Sequence, residues 1–125
     1  GHICYYFFDE SLLFTGDTLF SLGCGRIFEG TYEQMYDSLN KLKSLPKEAK
    51  IYCGHEYTLN NSKFCLKHDS ENSSLLKKIE FIKKQRNNNL PTIPSTLQDE
   101  IDCNIFLRAN DLKTFSKLRD LKDNF

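Results

Sequence analysis

All six glycines of this 125-residue chain lie between positions 1 and 54, and none follows. Glycine serves tight turns and left-handed backbone and is costly inside a helix. Its confinement predicts a turn-rich sheet in front and a helical region behind, with the change near residue 58. A chain of this length suits one small domain with a modest core, so the change is one of layer and need not separate two domains.

The finer pattern agrees. Residues 3–8 and 12–15 are rich in β-formers and are separated by Asp9, Glu10 and Ser11, the signature of a hairpin. Thr31 followed three positions later by Gln34 has the form of a capping box. Met35, Leu39 and Leu42 then recur at helical spacing, and Pro46 follows the stop. Residues 50–53 predict a short strand. Helices are expected over 58–68 and 72–86, the latter with Leu75, Leu76, Ile79 and Ile82 on one stripe. Pro91 and Pro94 bracket an extended linker, Ser95 or Thr96 is placed to cap a short helix, and a last helix spans 112–121.

Two strands end in turns that each place a glycine beside a potential metal ligand: Gly16-Asp17-Thr18-Leu19-Phe20 and Cys53-Gly54-His55-Glu56-Tyr57. A carboxylate has two oxygens with which to bridge cations, and a neutral imidazole offers one ring nitrogen. Two ligands fall short of the three protein ligands usual in a catalytic zinc-type centre. The other histidines, His2 and His68, form no His-x-His or His-x-x-x-His pair with His55. Further ligands must come from elsewhere.

These turns share the chain, in order, with Gly23-Cys24-Gly25-Arg26-Ile27-Phe28-Glu29-Gly30-Thr31, with Pro91-Thr92-Ile93-Pro94-Ser95-Thr96-Leu97, with Asn104-Ile105-Phe106-Leu107-Arg108, and with Leu118-Arg119-Asp120-Leu121-Lys122-Asp123-Asn124-Phe125. Together they resemble the C-terminal half of glyoxalase II, the hydroxyacylglutathione hydrolase family of the metallo-β-lactamase-like superfamily. The resemblance covers essentially the whole chain. It implies an α+β fold: residues 1–57 as half of a metallo-β-lactamase-like αββα sandwich, residues 58–125 as a helical substrate-binding region. Half a sandwich would expose a sheet face and edge that the other half covers.

The resemblance further implies a binuclear centre of zinc, iron or manganese that makes a nucleophile of bridging water, a general route to hydroxide at neutral pH. Asp17 would bridge the metals and His55 would ligate one of them. Arg26, Phe28, Tyr57, Arg119 and Lys122 would bind the glutathione thioester, with Arg119 and Lys122 converging on a carboxylate from one face of the final helix. Phe28 stands where some relatives carry tyrosine, and Ile105 where a proline is common. The hallmark Thr-His-x-His-x-Asp-His is absent, so most ligands are expected from an N-terminal half and the chain is expected to be inactive alone. Residues 1–5 resemble a run lying just past a metal-binding histidine, with His2 as a non-ligand. The implied reaction is hydrolysis of S-D-lactoylglutathione to glutathione and D-lactate in methylglyoxal detoxification. A persulfide dioxygenase of the same superfamily and a non-catalytic glutathione-binding module are the alternatives.

Charge and cysteine content bound the rest. Seventeen acidic and 17 basic residues balance, which argues against nucleic-acid binding through a general basic surface. Residues 61–125 are mildly basic, as solvated helix faces often are. Five cysteines without a C-x-x-C pair read as reduced thiols of a cytosolic or organelle-matrix protein, with Cys24 a buried filler rather than a nucleophile. No apolar run approaches the roughly 20 residues that span a bilayer, so no membrane partner is expected. A cytoplasmic location is expected, or a mitochondrial one should a targeting segment precede the chain, and the full-length protein is expected to be monomeric.

Overall fold

The computed structural model describes residues 3–27 and 30–125. Its first strands, β1 (Tyr5–Phe7) and β2 (Leu12–Gly16), form the expected antiparallel hairpin. A two-stranded unit follows, β3 (Leu19–Phe20) with β4 (Gly23–Cys24), and then α1 (Tyr32–Lys43). Strand β5 (Lys50–Cys53) precedes α2 (Thr58–His68) and α3 (Ser73–Asn87). The chain closes with β6 (Ser95–Thr96), α4 (Leu97–Cys103), α5 (Ile105–Arg108) and α6 (Leu112–Asp123).

The main sheet has the order β1-β2-β5-β6. Only β2 and β5 run parallel, because α1 carries the chain back between them in a crossover. Alternation sorts the side chains: Leu13 and Ile51 are fully or almost fully buried on the inner face. On the outer face Tyr5 pairs with Phe14 and Phe14 with Tyr52. There Phe7 and Phe14 meet edge to face at 5.7 Å and Phe14 stacks on Tyr52 at 5.3 Å. Tyr5 and Phe7 remain 59% and 50% exposed, so one face of the sheet is uncovered, as expected for half a sandwich.

The helices lie against the inner face. Phe64, Phe106 and Phe115 are buried, with Phe106 stacked parallel to Phe64 at 5.8 Å and set against the edge of Phe115 at 6.0 Å. Removing such rings from water contributes about 1.5–3 kcal/mol apiece. The caps form as the residue types dictate. Thr31 accepts from the Gln34 N–H while the Gln34 side chain accepts from the Thr31 N–H, completing the capping box. Asn72, Thr96 and Asp111 cap α3, α4 and α6 by their side chains accepting from first-turn N–H groups.

One expectation needs correction, and two features went unforeseen. Leu76 is 45% exposed, so the apolar stripe of α3 is Leu75, Ile79 and Ile82; Leu76 lies about 100° round the helix from Leu75. Ser95 and Thr96, expected as cap candidates beyond the linker, also add a fourth strand antiparallel to β5, while Thr96 caps α4 as expected. The small β3–β4 hairpin was not signalled, because Leu22 in its turn has φ +61° where glycine or asparagine would be the usual cue.

Candidate functional site

Asp17 and His55 follow the carboxyl ends of neighbouring parallel strands, which brings them together across the sheet. An irregularity in β2 adjusts the register: Phe14 pairs with Tyr52, but Gly16 rather than Thr15 pairs with Cys53. The extra residue bends the strand as a bulge does, and Gly16 takes φ +51° to leave it. Pairing continues one step further through the Gly54 N–H, which donates to the Gly16 carbonyl at 2.7 Å. The result sets His55 Nε2 3.2 Å from Asp17 Oδ1, both side chains about half exposed. Gly54 is required by this approach, since a methyl there would lie 2.7 Å from the same Oδ1.

Around this pair opens a pocket of about 360 Å³ lined by Asp17, His55, Tyr57, Arg26, Arg119 and Lys122, with Phe20, Cys24, Gly25 and Asn61 completing the wall. Tyr57 lies flat on His55 and edge-on to Phe20. The His55–Tyr57 turn is tied down by Glu56, which accepts from the Thr92 N–H at 2.6 Å and from its hydroxyl at 2.7 Å. Burial alone would raise the Glu56 pKa; the Thr92 and Thr58 hydrogen bonds outweigh it and hold the carboxyl below its ordinary value.

Side chains from the helical region hold the opposite wall, residues 20–25. Glu100, with no exposed surface, accepts from the Leu22 N–H at 2.8 Å, the Ser95 hydroxyl at 2.7 Å and the Asn104 amide at 3.1 Å. Asn104 also donates to the Phe20 and Gly23 carbonyls, Asn61 to that of Ser21, and the Cys65 thiol to that of Leu22. These partners secure the left-handed turn at Leu22.

Comparison with known proteins decides what these parts belong to. The family model described as "Hydroxyacylglutathione hydrolase C-terminus" matches residues 56–125, and that of the "Metallo-beta-lactamase superfamily" matches residues 1–55. The chain belongs to the hydroxyacylglutathione hydrolase family. A hydroxyacylglutathione hydrolase of Pelagibacter ubique is 65% identical over 125 residues, covering 100% of this chain and 52% of the relative. One of Hyphomonas neptunium is 42% identical over 138 residues, covering 100% and 54%. The chain thus spans about half the length of the curated relatives it matches. Among solved structures, ETHE1 from Myxococcus xanthus matches with a TM-score of 0.58 at 22% identity over 89% of this chain and 36% of that one, a likeness of fold.

Membership of the hydroxyacylglutathione hydrolase family implies a metal centre, and the Asp17–His55 pair fits part of one. Ligand bonds of about 2.0–2.2 Å to a shared ion place two donor atoms roughly 3 Å apart, and the observed 3.2 Å suits this as well as a hydrogen bond. Imidazole nitrogen suits zinc and iron, and carboxylate oxygen suits manganese. No group of three or more His, Cys, Asp or Glu side chains that could hold an ion occurs among the described residues.

Six of the seven expected site residues line the one pocket, and Phe28 lies outside the described residues. Arg119 and Lys122, the expected clamp, both line the pocket but have different surroundings. Arg119 has a side chain only 4% exposed; its Nη1 donates to the Cys24 carbonyl at 2.7 Å and its Nη2 to Asp123 Oδ1 at 2.8 Å. Arg26 Nε approaches the same Oδ1 at 3.3 Å from a side chain 55% exposed. Lys122 forms no ion pair among the described residues. Burial, then the neighbouring Arg119 and Arg26 charges, push its ammonium below the ordinary lysine range. Cys24 is closed off as a nucleophile, since burial raises its thiol to about 11 despite the adjacent Arg119.

The sequence reading missed Asp123, Glu100 and Asn61. Asp123 stands four residues beyond Arg119, the spacing of a helical ion pair, and was legible from that. Glu100 carried no comparable signal, because the wall it holds, through Ser21 and Leu22, is distant in sequence.

Proposed function

We propose that this chain supplies one side of the active site of a glutathione thioester hydrolase, acting on S-D-lactoylglutathione to give glutathione and D-lactate in methylglyoxal detoxification. The supporting observation is the convergence of a carboxylate–imidazole pair with Arg26, Tyr57 and Lys122 on one pocket. In this reading residues 1–57 contribute the metal-facing layer and residues 58–125 the glutathione-facing helices. Asp17 and His55 hold part of a binuclear centre of zinc, iron or manganese, whose chemistry is to lower the pKa of water toward about 7.

The chain's own residues bind and orient. Lys122, desolvated and short of a counter-ion, attracts a glutathione carboxylate. Arg26 offers a second cation at the rim, while Tyr57 and Phe20 present apolar edges to the peptide. In the overall reaction the oxygen of water bonds to the thioester carbonyl carbon, the C–S bond breaks, and the sulfur leaves with its electron pair and takes up the proton. With only two of the centre's ligands among the described residues, the 125-residue chain alone is expected to hold no complete centre and to turn over no substrate. At full length the protein is read as a cytoplasmic monomer. No helix among the described residues is long and apolar enough to cross a membrane.

Isothermal titration with glutathione, paired with a hydrolysis assay on S-D-lactoylglutathione in the presence of Zn²⁺, tests the reading. Binding that is lost in Lys122→Ala, with no turnover by the chain alone, is the expected result. Absence of glutathione binding, or oxygen consumption with glutathione persulfide by the full-length protein, would overturn it. Turnover by the isolated chain would overturn the expected incompleteness.

A further inference from the structure

We infer that Phe125 is a positioning residue for substrate recognition: its ring seats the Lys122 ammonium at the pocket and leaves the charge free for an anion of the ligand. This role presupposes that Lys122 meets a ligand carboxylate, as the glutathione reading has it.

Phe125 lies just past the end of α6. Its N–H donates to the Lys122 carbonyl at 3.2 Å, and the Asn124 N–H donates to the Leu121 and Lys122 carbonyls, so the chain stays bonded to the last turn of the helix. The ring lies 5.9 Å from Lys122 Nζ, and Lys67 Nζ approaches the same ring from α2 at 5.7 Å. The ring is itself anchored. It meets Phe64 edge to face at 5.3 Å, and Phe64 is fully buried and stacked on Phe106. Arg119, the other cation of α6 at the pocket, lies over Phe106 with Cζ 5.2 Å from the centroid. Three linked phenylalanines thus underlie both α6 cations.

A ring suits this place better than a carboxylate would. The face of an aromatic ring is the negative side of its quadrupole, so it attracts an ammonium without cancelling its charge. A carboxylate in the same position would form an ion pair and compete with a carboxylate of the ligand. Asp123, next in the chain, is engaged by Arg26 and Arg119, and Lys122 forms no ion pair among the described residues. All three N–H donors of the ammonium can therefore serve the ligand. Lysine carries its charge on a flexible four-carbon stem, and holding the head in place beforehand lowers the ordering cost of binding. The attraction to a ring grows as water is removed, and Lys122 is half-buried.

The test uses the zinc-loaded full-length protein with labelled lysine side chains, the Lys122 signal being assigned by its loss in Lys122→Arg. NMR reads the ring-current shift of the Lys122 ε-methylene protons, calorimetry reads glutathione affinity, and steady-state kinetics read kcat and KM on S-D-lactoylglutathione. Phe125→Leu keeps apolar bulk and removes the ring. It should abolish the upfield shift, weaken glutathione binding roughly two- to fivefold and raise KM by the same factor. Unchanged kcat should accompany this, since the seat serves ground and transition states alike. Phe125→Tyr, which keeps the ring, should match the parent protein in every readout. A purely structural role would lower the folded fraction without moving the KM of the folded enzyme. An unmoved Lys122 signal or unchanged glutathione affinity in Phe125→Leu, or Phe125→Tyr behaving like Phe125→Leu, would overturn the role. Intact glutathione binding in Lys122→Ala would instead overturn the glutathione reading, and the ring-current shift would then decide by itself whether Phe125 seats the ammonium.

Discussion

The phenol ring of Tyr57 stacks on the imidazole of His55, centroids 4.8 Å apart and planes 11° from parallel. Offset-stacked rings contribute about 0.5–1.5 kcal/mol beyond their buried area. The stack therefore fixes the plane of an imidazole that is otherwise half exposed. Tyr57→Ala should broaden the His55 ring signals in NMR spectra as the imidazole gains rotamers, whereas Tyr57→Phe should keep them sharp. Equal sharpness in Tyr57→Ala would show that Phe20, 6.0 Å from His55, suffices.

Glu100 carries the wall opposite. Replacing it by alanine strands the Leu22 N–H and the Ser95 and Asn104 donors in a buried site, and each buried orphan costs about 1–3 kcal/mol. A fall of at least about 2 kcal/mol is expected, read as a lower urea midpoint at unchanged slope.

The same residue gives stability a pH dependence. Burial raises the Glu100 pKa, against the hydrogen bonds from Leu22, Ser95 and Asn104 that lower it. A folded-state pKa above the unfolded value means that the fold holds the proton more tightly. Its contribution is thus complete below the unfolded carboxylate value of about 4.3 and is lost as pH rises through the folded one. Glu100→Gln, which cannot titrate, should remove this component from a series of urea titrations; an unchanged pH profile would count against it.

Thiol chemistry should follow burial. Burial raises Cys24 to about 11 and Cys65 and Cys103 to about 12. Under native conditions at neutral pH, iodoacetamide should spare these three and reach half-buried Cys4 and Cys53 first, as peptide mass spectrometry would read. Early labelling of Cys24 would contradict the closed pocket wall.

At the start of α1, Thr31→Ala removes the acceptor of the Gln34 N–H and leaves the reciprocal half of the box. A loss of about 1 kcal/mol is expected, measured by urea unfolding; a neutral result would mean that water replaces the hydroxyl at this exposed end.

Local signals made much of the fold legible. The capping box, the Asn72 cap and the strand at residues 50–53 all declare themselves within a few residues of sequence. Asp17 and His55 were singled out by the glycine turns beside them, and Arg26, Tyr57, Arg119 and Lys122 by family resemblance. What escaped were features decided by distant partners. Ser95 and Thr96 become a strand because β5 has an open edge, and Leu22 adopts positive φ because Glu100 and Cys65 claim its main chain. The bonds from Arg119 to the Cys24 and Gly25 carbonyls belong to the same class, since both acceptors lie more than ninety residues away in sequence.

The parallel pairing of β2 with β5 has an evolutionary corollary. Asp17 and His55 are neighbours across a sheet, so their spacing is indifferent to the length of chain that joins them. Insertions at the exposed tip around Pro46–Glu48 can accumulate without moving either residue. A single residue gained or lost within the five of β2 would turn Asp17 to the other face. Drift is thereby permitted where chains change most readily and forbidden along one short stretch of backbone.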